Sequence, residues 1–429
     1  MEWSLAIIAA GVLGVASISR PLSGSLVTPT LAFMAFGLLV GGEVLGLIEL
    51  SSGNSTVRSL AEAALTLVLF TDAARIDLRA LREGGGVPLR LLGVGLPLTI
   101  AAGTLAAVVC FGELTLGEAL IVAVILAPTD AALGQAVVTS PLIPTRLRQG
   151  LNVESGLNDG ICVPLLFAAV AAADLESHIS GGRGAGTLLL EEIGYGVLGG
   201  LVAGFLVAMV VIHAGRRGLI DAAWRQLIPA AGAALAYGIA VALDGSGFIA
   251  SFVAGLVFRG LVKEDPAAID ELTEQVGDAL GGVTFLLFGA ILLGPAIAAS
   301  SWVLLLYALL SLTVVRMAPV ALAMLGSGAR APTVALLGWF GPRGLASIVF
   351  ALIVVEESHL PHQDLIVTAV YLTVGLSVVL HGVSATPLVR RYGAWLQANP
   401  LGSRRGPEET SASLTRVRGR SAPGSAEAP

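Results

Sequence analysis

The sequence predicts an all-α polytopic membrane protein with about 13 transmembrane helices. Hydrophobic residues make up 55% of the 429-residue chain and charged residues only 13%, whereas a soluble domain carries roughly a quarter of charged residues. The mean hydropathy is +0.87, and apolar runs of at least about 18 residues, the length that crosses a bilayer, recur along nearly the whole chain. These observations favour a bundle of membrane-spanning helices over a large soluble core.

The apolar runs place the predicted spans, which are numbered 1 to 13 in chain order. They cover residues 3–19, 30–48, 57–72, 87–112, 117–139, 150–173, 186–213, 226–242, 246–262, 276–297, 301–325, 332–355 and 364–388. Span 1 is not interpreted as a signal peptide, because it starts with Glu2 instead of basic residues. Residues 1–389 thus form a transmembrane domain, and residues 390–429, rich in Pro, Gly, Ser, Arg and Glu, are predicted to be a disordered tail.

Basic residues predict the orientation of the chain. The loops after odd-numbered spans contain Arg20, Arg75, Arg79, Arg82, Arg90, Arg146, Arg148, Arg216, Arg217, Arg225, Arg259, Lys263, Arg330, Arg390 and Arg391. The loops after even-numbered spans contain Arg58 and Arg183. Because cytoplasmic loops are enriched in Lys and Arg, we expect a multi-pass protein of the cell membrane with its N-terminus outside and its C-terminus in the cytoplasm.

Short similarities at a nearly constant offset indicate an internal repeat. Three pairs of segments match in the same order, at offsets of 218 or 214 residues: 36–42 with 254–260, 66–70 with 284–288, and 127–130 with 341–344. The offset moves each span forward by seven, which reverses its direction through the membrane. We therefore predict two inverted repeats of six spans, at about 1–173 and 226–388, joined by a linker span at 186–213. Spans 5 and 12, interrupted by Pro and Gly at matching positions, are the predicted broken helices that cross near the midplane.

Two polar segments interrupt otherwise apolar spans. Span 5 contains Pro128-Thr129-Asp130, and span 6 contains Glu154-Ser155-Gly156-Leu157-Asn158-Asp159-Gly160. A charge at the membrane midplane costs at least ~2.5 kcal/mol, so such residues usually mark an ion or substrate pathway. Because the segments are acidic and rich in oxygen, they predict a site for a small hard cation or a proton.

Asp159 is the expected exchange group. Helical spacing pairs Glu154 with Asn158 and Ser155 with Asp159. A single buried carboxylate that holds either a proton or a cation, but not both, is sufficient for antiport. Structural roles stay open as well: Asp130 as the cap of the second half-helix of span 5, and Asp159 as an acid neutralised by an arginine.

Arginines within the spans need partners. We expect Arg343, which the repeat places opposite the break in span 5, to pair with Glu154 or Asp130 in a structural role. Arg316 in span 11 is expected to reach the cytoplasmic interface with its long side chain. Asp72, at the end of span 3, is expected to be an interfacial charge.

The chain resembles the monovalent cation:proton antiporters, and in particular the electroneutral sodium/proton exchanger branch. The resemblance covers spans 1 to 13, and its most specific marks are residues 128–130, 154–160 and 341–344. It implies a homodimer in which a mobile six-helix bundle carries the ion past an interface domain by an elevator-like movement. The adjacent Asn158 and Asp159 resemble the electroneutral type, because the related electrogenic branch has two aspartates at these positions.

The resemblance also implies roles for individual residues. The expected cation- and proton-binding residues are Asp159, Asp130, Ser155, Thr129 and Glu154, and the Na⁺ ligands among them would be Asp159, Ser155, Thr129 and Glu154. The expected stabilising network consists of Asn158, Arg343 and Glu154.

The sequence therefore predicts a secondary antiporter that exchanges Na⁺ or Li⁺ for H⁺, without a cofactor. K⁺/H⁺ exchange stays open because the motifs do not measure the size of the site, and so does sodium-coupled solute symport, which also uses inverted repeats. A channel would need a continuous pore. A phosphate-binding loop and metal-ligand spacings are missing from the sequence, which disfavours an enzyme or a nucleotide-driven pump. The expected partners are monovalent cations, protons, membrane lipid and a second copy of the chain, and no nucleic acid.

Overall fold

The computed structural model describes residues 2–22, 25–48, 55–76, 86–177, 185–262, 267–357, 360–400 and 406–408. Within these residues all regular secondary structure is helical. Six of the described helices are long and apolar enough to cross a membrane: Gly86–Cys110, Thr145–Asp174, Leu189–Arg216, Glu271–Ala298, Trp302–Ala323 and Gln363–Ala398. The predicted all-α membrane fold is confirmed, and the number of 13 spans stays a prediction.

The first predicted repeat and the linker contain ten α-helical segments and one π-helical segment among the described residues. They are Glu2–Ser17, Ser19–Leu22, Pro29–Val40, Ser55–Arg75, Gly86–Arg90 continuing through the π-helix Leu91–Gly95 into Leu96–Cys110, Leu116–Ile125, Gln135–Val138, Thr145–Ser177 and, in the linker, Ala185–Arg216. Helix Thr145–Ser177 contains the whole of predicted span 6 and carries the polar segment near its middle.

The second predicted repeat has a similar order of helices. They are Ala222–Arg225, Ile228–Val241, Gly247–Leu261, Ala267–Leu287 continuing through the π-helix Phe288–Leu293 into Gly294–Ala298, Trp302–Leu312, Val314–Ala323, Ala331–Trp339, Leu345–Glu357 and Gln363–Ala398.

Spans 5 and 12 are both broken, as the sequence predicts. In span 5, a capping box starts helix Leu116–Ile125: the Thr115 hydroxyl accepts from the Glu118 amide at 3.2 Å, and the Glu118 carboxylate accepts from the Thr115 amide at 2.9 Å. The helix ends before Pro128, which lacks an amide donor and disfavours helix at the preceding residue. In span 12 the break separates helices Ala331–Trp339 and Leu345–Glu357.

The predicted tail begins too early in the sequence. Helix Gln363–Ala398 continues past residue 390, and Glu408 is only 2% exposed. Its Oε1 accepts hydrogen bonds from the Arg330 amide at 2.9 Å and from the Thr333 hydroxyl at 2.7 Å. The free amides at a helix N-terminus attract a carboxylate. Composition does not predict this contact, because Glu408 and Arg330 are 78 residues apart in the sequence. Residues 401–405 and 409–429 of the predicted tail lie outside the described residues, as do Arg79, Arg82, Arg183 and Lys263.

Candidate functional site

The breaks in spans 5 and 12 lie against each other. The Asp130 amide donates a hydrogen bond to the Pro342 carbonyl at 2.8 Å. Nη1 of Arg343 donates to the carbonyls of Ala127 at 3.1 Å and Pro128 at 3.3 Å. Backbone groups freed by a break are tolerated at membrane depth only where other groups bind them, and each break here binds backbone groups of the other.

Asp130 caps both breaks. Its Oδ1 accepts from the amides of Ala132 at 2.8 Å and Leu133 at 3.3 Å, and its Oδ2 accepts from the Leu345 amide at 3.0 Å, where the second half of span 12 begins. A side chain at Gly344 would overlap the Asp130 carboxylate, so this close approach requires glycine. The capping role that the sequence left open for Asp130 is therefore present.

Span 6 holds the break of span 5 through Thr129. The Ser155 hydroxyl donates to the Thr129 carbonyl, and Nδ2 of Asn158 donates to the Thr129 hydroxyl at 2.8 Å. Asn158 is fully buried, and its Oδ1 has no hydrogen-bond partner among the described residues. Asp159 is 8% exposed and lies one turn after Ser155 on the same helix. The structure thus brings Thr129, Ser155 and Asn158 into contact, and the buried carboxylate of Asp159 directly follows Asn158 in the chain.

A small cavity adjoins this contact. It has a volume of about 10 Å³, about enough for one water molecule. It is lined by Thr129, Asp130, Ala131, Gly134, Val137, Val138, Leu151, Ser155, Phe340 and Pro342. Asp159 is not among the lining residues. Within the described residues, no group of three or more His, Cys, Asp or Glu side chains is arranged to hold a metal ion.

The buried ion pair differs from the expected one. Nη1 of Arg316 lies 2.8 Å from Oε1 of Glu154, and its Nη2 donates to Oε2 at 2.9 Å, with both side chains 1% exposed. Arg343 forms no ion pair with Glu154 or Asp130 among the described residues. The expected ion pair of Arg343 and the expected interfacial position of Arg316 were therefore wrong, whereas Arg343 does lie against the break of span 5 as the repeat predicts.

The physical reason lies in span 11. Its helix is interrupted at Thr313, where φ is −112° and ψ is −91°, and a new helix, Val314–Ala323, follows. Hydropathy places Arg316 at a depth in the membrane, but it does not predict which way the helix faces after such an interruption. Arg316 points into the protein and not toward the interface.

Asp72 is a candidate that the sequence reasoning missed. A Cβ atom built on Gly156 would lie 3.1 Å from Cβ and 3.5 Å from Cγ of Asp72, so this carboxylate packs against span 6 beside the polar segment. Helix Ser55–Arg75 extends beyond the predicted end of span 3, which moves Asp72 from the edge into the helix. Gly156 indicates that another helix approaches span 6 closely at this point. A single sequence does not reveal which helix that is.

Known proteins with similar sequences are exchangers of cations for protons. The Na⁺/H⁺ antiporter NhaP of Pseudomonas aeruginosa is 28% identical over 404 residues, which cover 85% of this chain and 91% of that protein. The K⁺/H⁺ antiporter NhaP2 of Shewanella oneidensis is 27% identical over 413 residues, 93% of this chain and 68% of that protein. A Na⁺/H⁺ antiporter of Schizosaccharomyces pombe is 31% identical over 154 residues, and the match spans only 33% of its length.

The fold has a close match among solved structures. The sodium proton antiporter MjNhaP1 from Methanocaldococcus jannaschii superposes with a TM-score of 0.72 at 18% identity, covering 91% of this chain and 98% of that one. At this identity the likeness establishes the fold alone. The family relationship comes from the sequence: residues 6–391 match the transmembrane sodium/hydrogen exchanger family, and this chain therefore belongs to that family.

Proposed function

We propose that this protein is a secondary antiporter that exchanges Na⁺ or Li⁺ for H⁺, one for one, across the cell membrane. One observation carries the proposal: Ser155 and Asn158 bind Thr129 at the break of span 5, on the helix that carries Asp159. The similarity to the Na⁺/H⁺ antiporter NhaP of Pseudomonas aeruginosa supports the same reaction, since the match covers 91% of that protein.

Asp159 is the exchanging group in this proposal. The cation is held by the Asp159 carboxylate, the Ser155 hydroxyl and main-chain oxygen near Thr129, because small hard cations prefer oxygen ligands. A proton and a cation compete for the same carboxylate, so the arrival of one releases the other. Exposure of the site to each side in turn converts this competition into exchange.

The neighbouring acids support the site. Glu154 is neutralised by Arg316 at 2.8 Å, and the Asp130 carboxylate accepts three main-chain hydrogen bonds. Asn158, next to Asp159, is an amide and adds no second exchangeable proton. We therefore assign the protein to electroneutral exchange of one cation for one proton.

We place Asp72 at the edge of the same site. Its carboxylate packs beside Gly156 of span 6. Gly156 directly follows Ser155 in the chain. A second carboxylate near a cation increases the electrostatic attraction for it. Asp72 thus contributes to cation affinity, whereas Asp159 carries the exchanged proton.

Alternating access is proposed to follow the pattern of the family: a homodimer in which the bundle with the crossed breaks moves against a fixed interface domain. The cavity that adjoins Thr129 and Ser155 extends to Leu151, which lies closer to the start of span 6. The positive-inside rule predicts that this end of span 6 is cytoplasmic.

K⁺/H⁺ exchange is the second candidate, because the relative from Shewanella oneidensis, a K⁺/H⁺ antiporter, matches 93% of this chain. The two reactions share the competition at Asp159 and differ in the cation that the oxygen ligands accept.

Exchange by the purified full-length protein in proteoliposomes tests both candidates. An internal pH dye reports proton movement after Na⁺, Li⁺ or K⁺ is added, and valinomycin with equal K⁺ on both sides clamps the potential in the Na⁺ and Li⁺ trials. We expect Na⁺ to move protons with and without the clamp. A response to K⁺ alone would select the second candidate, and a response that changes with the clamp would contradict electroneutrality. If no cation moves protons between about pH 5 and 9, the antiporter proposal is wrong.

A further inference from the structure

Span 13 carries a buried polar pair that the exchange mechanism does not use. Ser377 and His381 lie one turn apart on helix Gln363–Ala398 and are 0% and 1% exposed. Buried polar side chains in a membrane protein are costly unless they are hydrogen-bonded, so their partners indicate what they do.

Both residues bind the backbone at the break of span 12. The Ser377 hydroxyl accepts a hydrogen bond from the Arg343 amide at 2.7 Å. Nε2 of His381 lies 2.9 Å from the carbonyl of Trp339, the last residue of the first half-helix. The Trp339 ring lies over the imidazole, with a centroid distance of 5.1 Å. Span 13 therefore holds the break at both of its ends.

The hydrogens of this network can be assigned from its acceptors. The Trp339 carbonyl only accepts, so His381 binds it when Nε2 carries the ring hydrogen. Ser377 has already accepted the Arg343 amide, and its own hydrogen is directed to Nδ1 of His381, 3.2 Å away. The other tautomer would donate from Nδ1 to the Ser377 carbonyl at 2.9 Å and leave Nε2 bare against the Trp339 carbonyl, whereas the first leaves Nδ1 bare against the Ser377 carbonyl. Only the first assignment joins the two ends of the break in one continuous chain of hydrogen bonds.

This chain ends on the residue that reaches span 5. The Arg343 side chain donates to the carbonyls of Ala127 and Pro128, directly before Thr129, which Ser155 and Asn158 bind. A shift of the Arg343 backbone would therefore be transmitted to the main chain at Thr129, where we place the cation.

We propose that Ser377 and His381 are positioning residues for the ion site: they fix the break of span 12 and thereby hold Arg343 against the break of span 5. The inference rests on the proposed antiport, and it assigns cation affinity in part to a helix that does not contact the cation.

Ser377→Ala removes the acceptor of the Arg343 amide, and His381→Leu removes the donor to Trp339. His381→Gln is the conservative variant, because its amide can donate to the same carbonyl. Ser384→Ala is the matched control: it removes a serine hydroxyl from the same helix, but one that accepts from the Trp339 ring nitrogen at 2.9 Å and not from the backbone of the break.

Two readouts separate this inference from the function itself. In proteoliposomes, we expect Ser377→Ala and His381→Leu to raise the apparent KM for Na⁺ by about fivefold or more, because a buried backbone group left without its partner no longer fixes the break that holds Arg343. The maximal rate should change less than about twofold, and His381→Gln and Ser384→Ala should stay near the unmodified protein. Amide hydrogen exchange of residues 340–345, which does not depend on transport, should become faster in the first two variants only.

Several results would overturn the inference. They are unchanged KM and unchanged amide exchange in Ser377→Ala, an equal effect of Ser384→Ala, or a loss of maximal rate at constant KM. If His381→Leu fails to fold, Ser377→Ala and His381→Gln decide alone. If the unmodified protein moves no protons, the proposed function fails, while amide exchange still decides whether span 13 holds the break.

Discussion

The breaks in spans 5 and 12 solve the same backbone problem with opposite chemistry. At span 5 the Ser155 hydroxyl binds the Thr129 carbonyl and the Asn158 amide binds the Thr129 hydroxyl, next to Asp159. At span 12 the freed backbone groups are bound by Ser377 and His381 of span 13, next to Arg343. The two crossings are similar in their backbone, but the residues beside them differ in charge: acidic Asp159 beside the break of span 5, and basic Arg343 at the break of span 12.

The two breaks also stabilise each other. Asp130 from span 5 caps the second half of span 12 through the Leu345 amide, and Arg343 from span 12 binds the carbonyls that end the first half of span 5. Each charge thus meets the helix end of opposite partial charge. We call the first repeat, with Asp130 at its break, the acidic half, and the second repeat, with Arg343 at its break, the basic half. The basic half completes the acidic one, because Arg343 binds backbone carbonyls at the break of span 5.

The largest effect is expected when the carboxylate of Asp159, beside the break of span 5, is neutralised. Asp159→Asn should abolish Na⁺-driven proton movement in proteoliposomes, because the amide cannot exchange a proton. Asp221→Asn, at the cap of the short helix Ala222–Arg225, is the matched control and should leave exchange unchanged. Full exchange by folded Asp159→Asn would remove Asp159 from the mechanism.

The buried pair tests whether Glu154 belongs to the scaffold of the acidic half. Removing Arg316 leaves the Glu154 carboxylate buried without its ion pair, a change that costs ~3–5 kcal/mol. Arg316→Met should therefore lower the thermal unfolding midpoint in detergent strongly. Adding Glu154→Gln should restore much of the loss, and a double variant that is no more stable than Arg316→Met would contradict the pairing.

The contact between the halves is tested at Gly344. Gly344→Ala places a methyl group against the Asp130 carboxylate, and overpacking of this kind costs ~1–3 kcal/mol. Lower thermal stability is expected together with weaker Na⁺-dependent exchange. Gly260→Ala is the control, because nothing lies within 4 Å of a Cβ at that position, and its stability should stay the same or rise slightly.

Asp72→Asn sharpens the comparison further, because it replaces a carboxylate beside span 6 by an amide without touching Asp159, the proposed exchanging group. We expect the apparent KM for Na⁺ to rise by a factor of about 3 to 10, which corresponds to roughly 0.7 to 1.4 kcal/mol. The maximal rate should be nearly retained. Wild-type affinity in this variant would return Asp72 to an interfacial role.

The smallest effect is expected on the basic half, at the start of span 12. Glu408→Gln keeps the size of the side chain but removes its charge from the amide of Arg330, so we expect a loss of ~1 kcal/mol of stability. The measurement is the thermal unfolding midpoint, together with proteolysis of the segment after residue 400. Exchange kinetics should not change, and a changed KM would show that the tail reaches the ion site.

The sequence by itself determined the membrane fold, the positions of both breaks and the polar segment of span 6. These features follow from local properties: hydropathy over a window, the missing amide of Pro128, and acidic residues in an apolar helix. The family relationship likewise comes from the sequence, since residues 6–391 match the family.

The tertiary structure alone decided which side chains meet. It paired Glu154 with Arg316 and not with Arg343, turned Asp72 toward Gly156, and brought Glu408 to the start of span 12. The physical reason is that the depth of a residue follows from its place along a span, whereas its partner depends on how each helix rotates and packs. The interruption at Thr313, with its φ of −112° and ψ of −91°, likewise has no signature in the hydropathy.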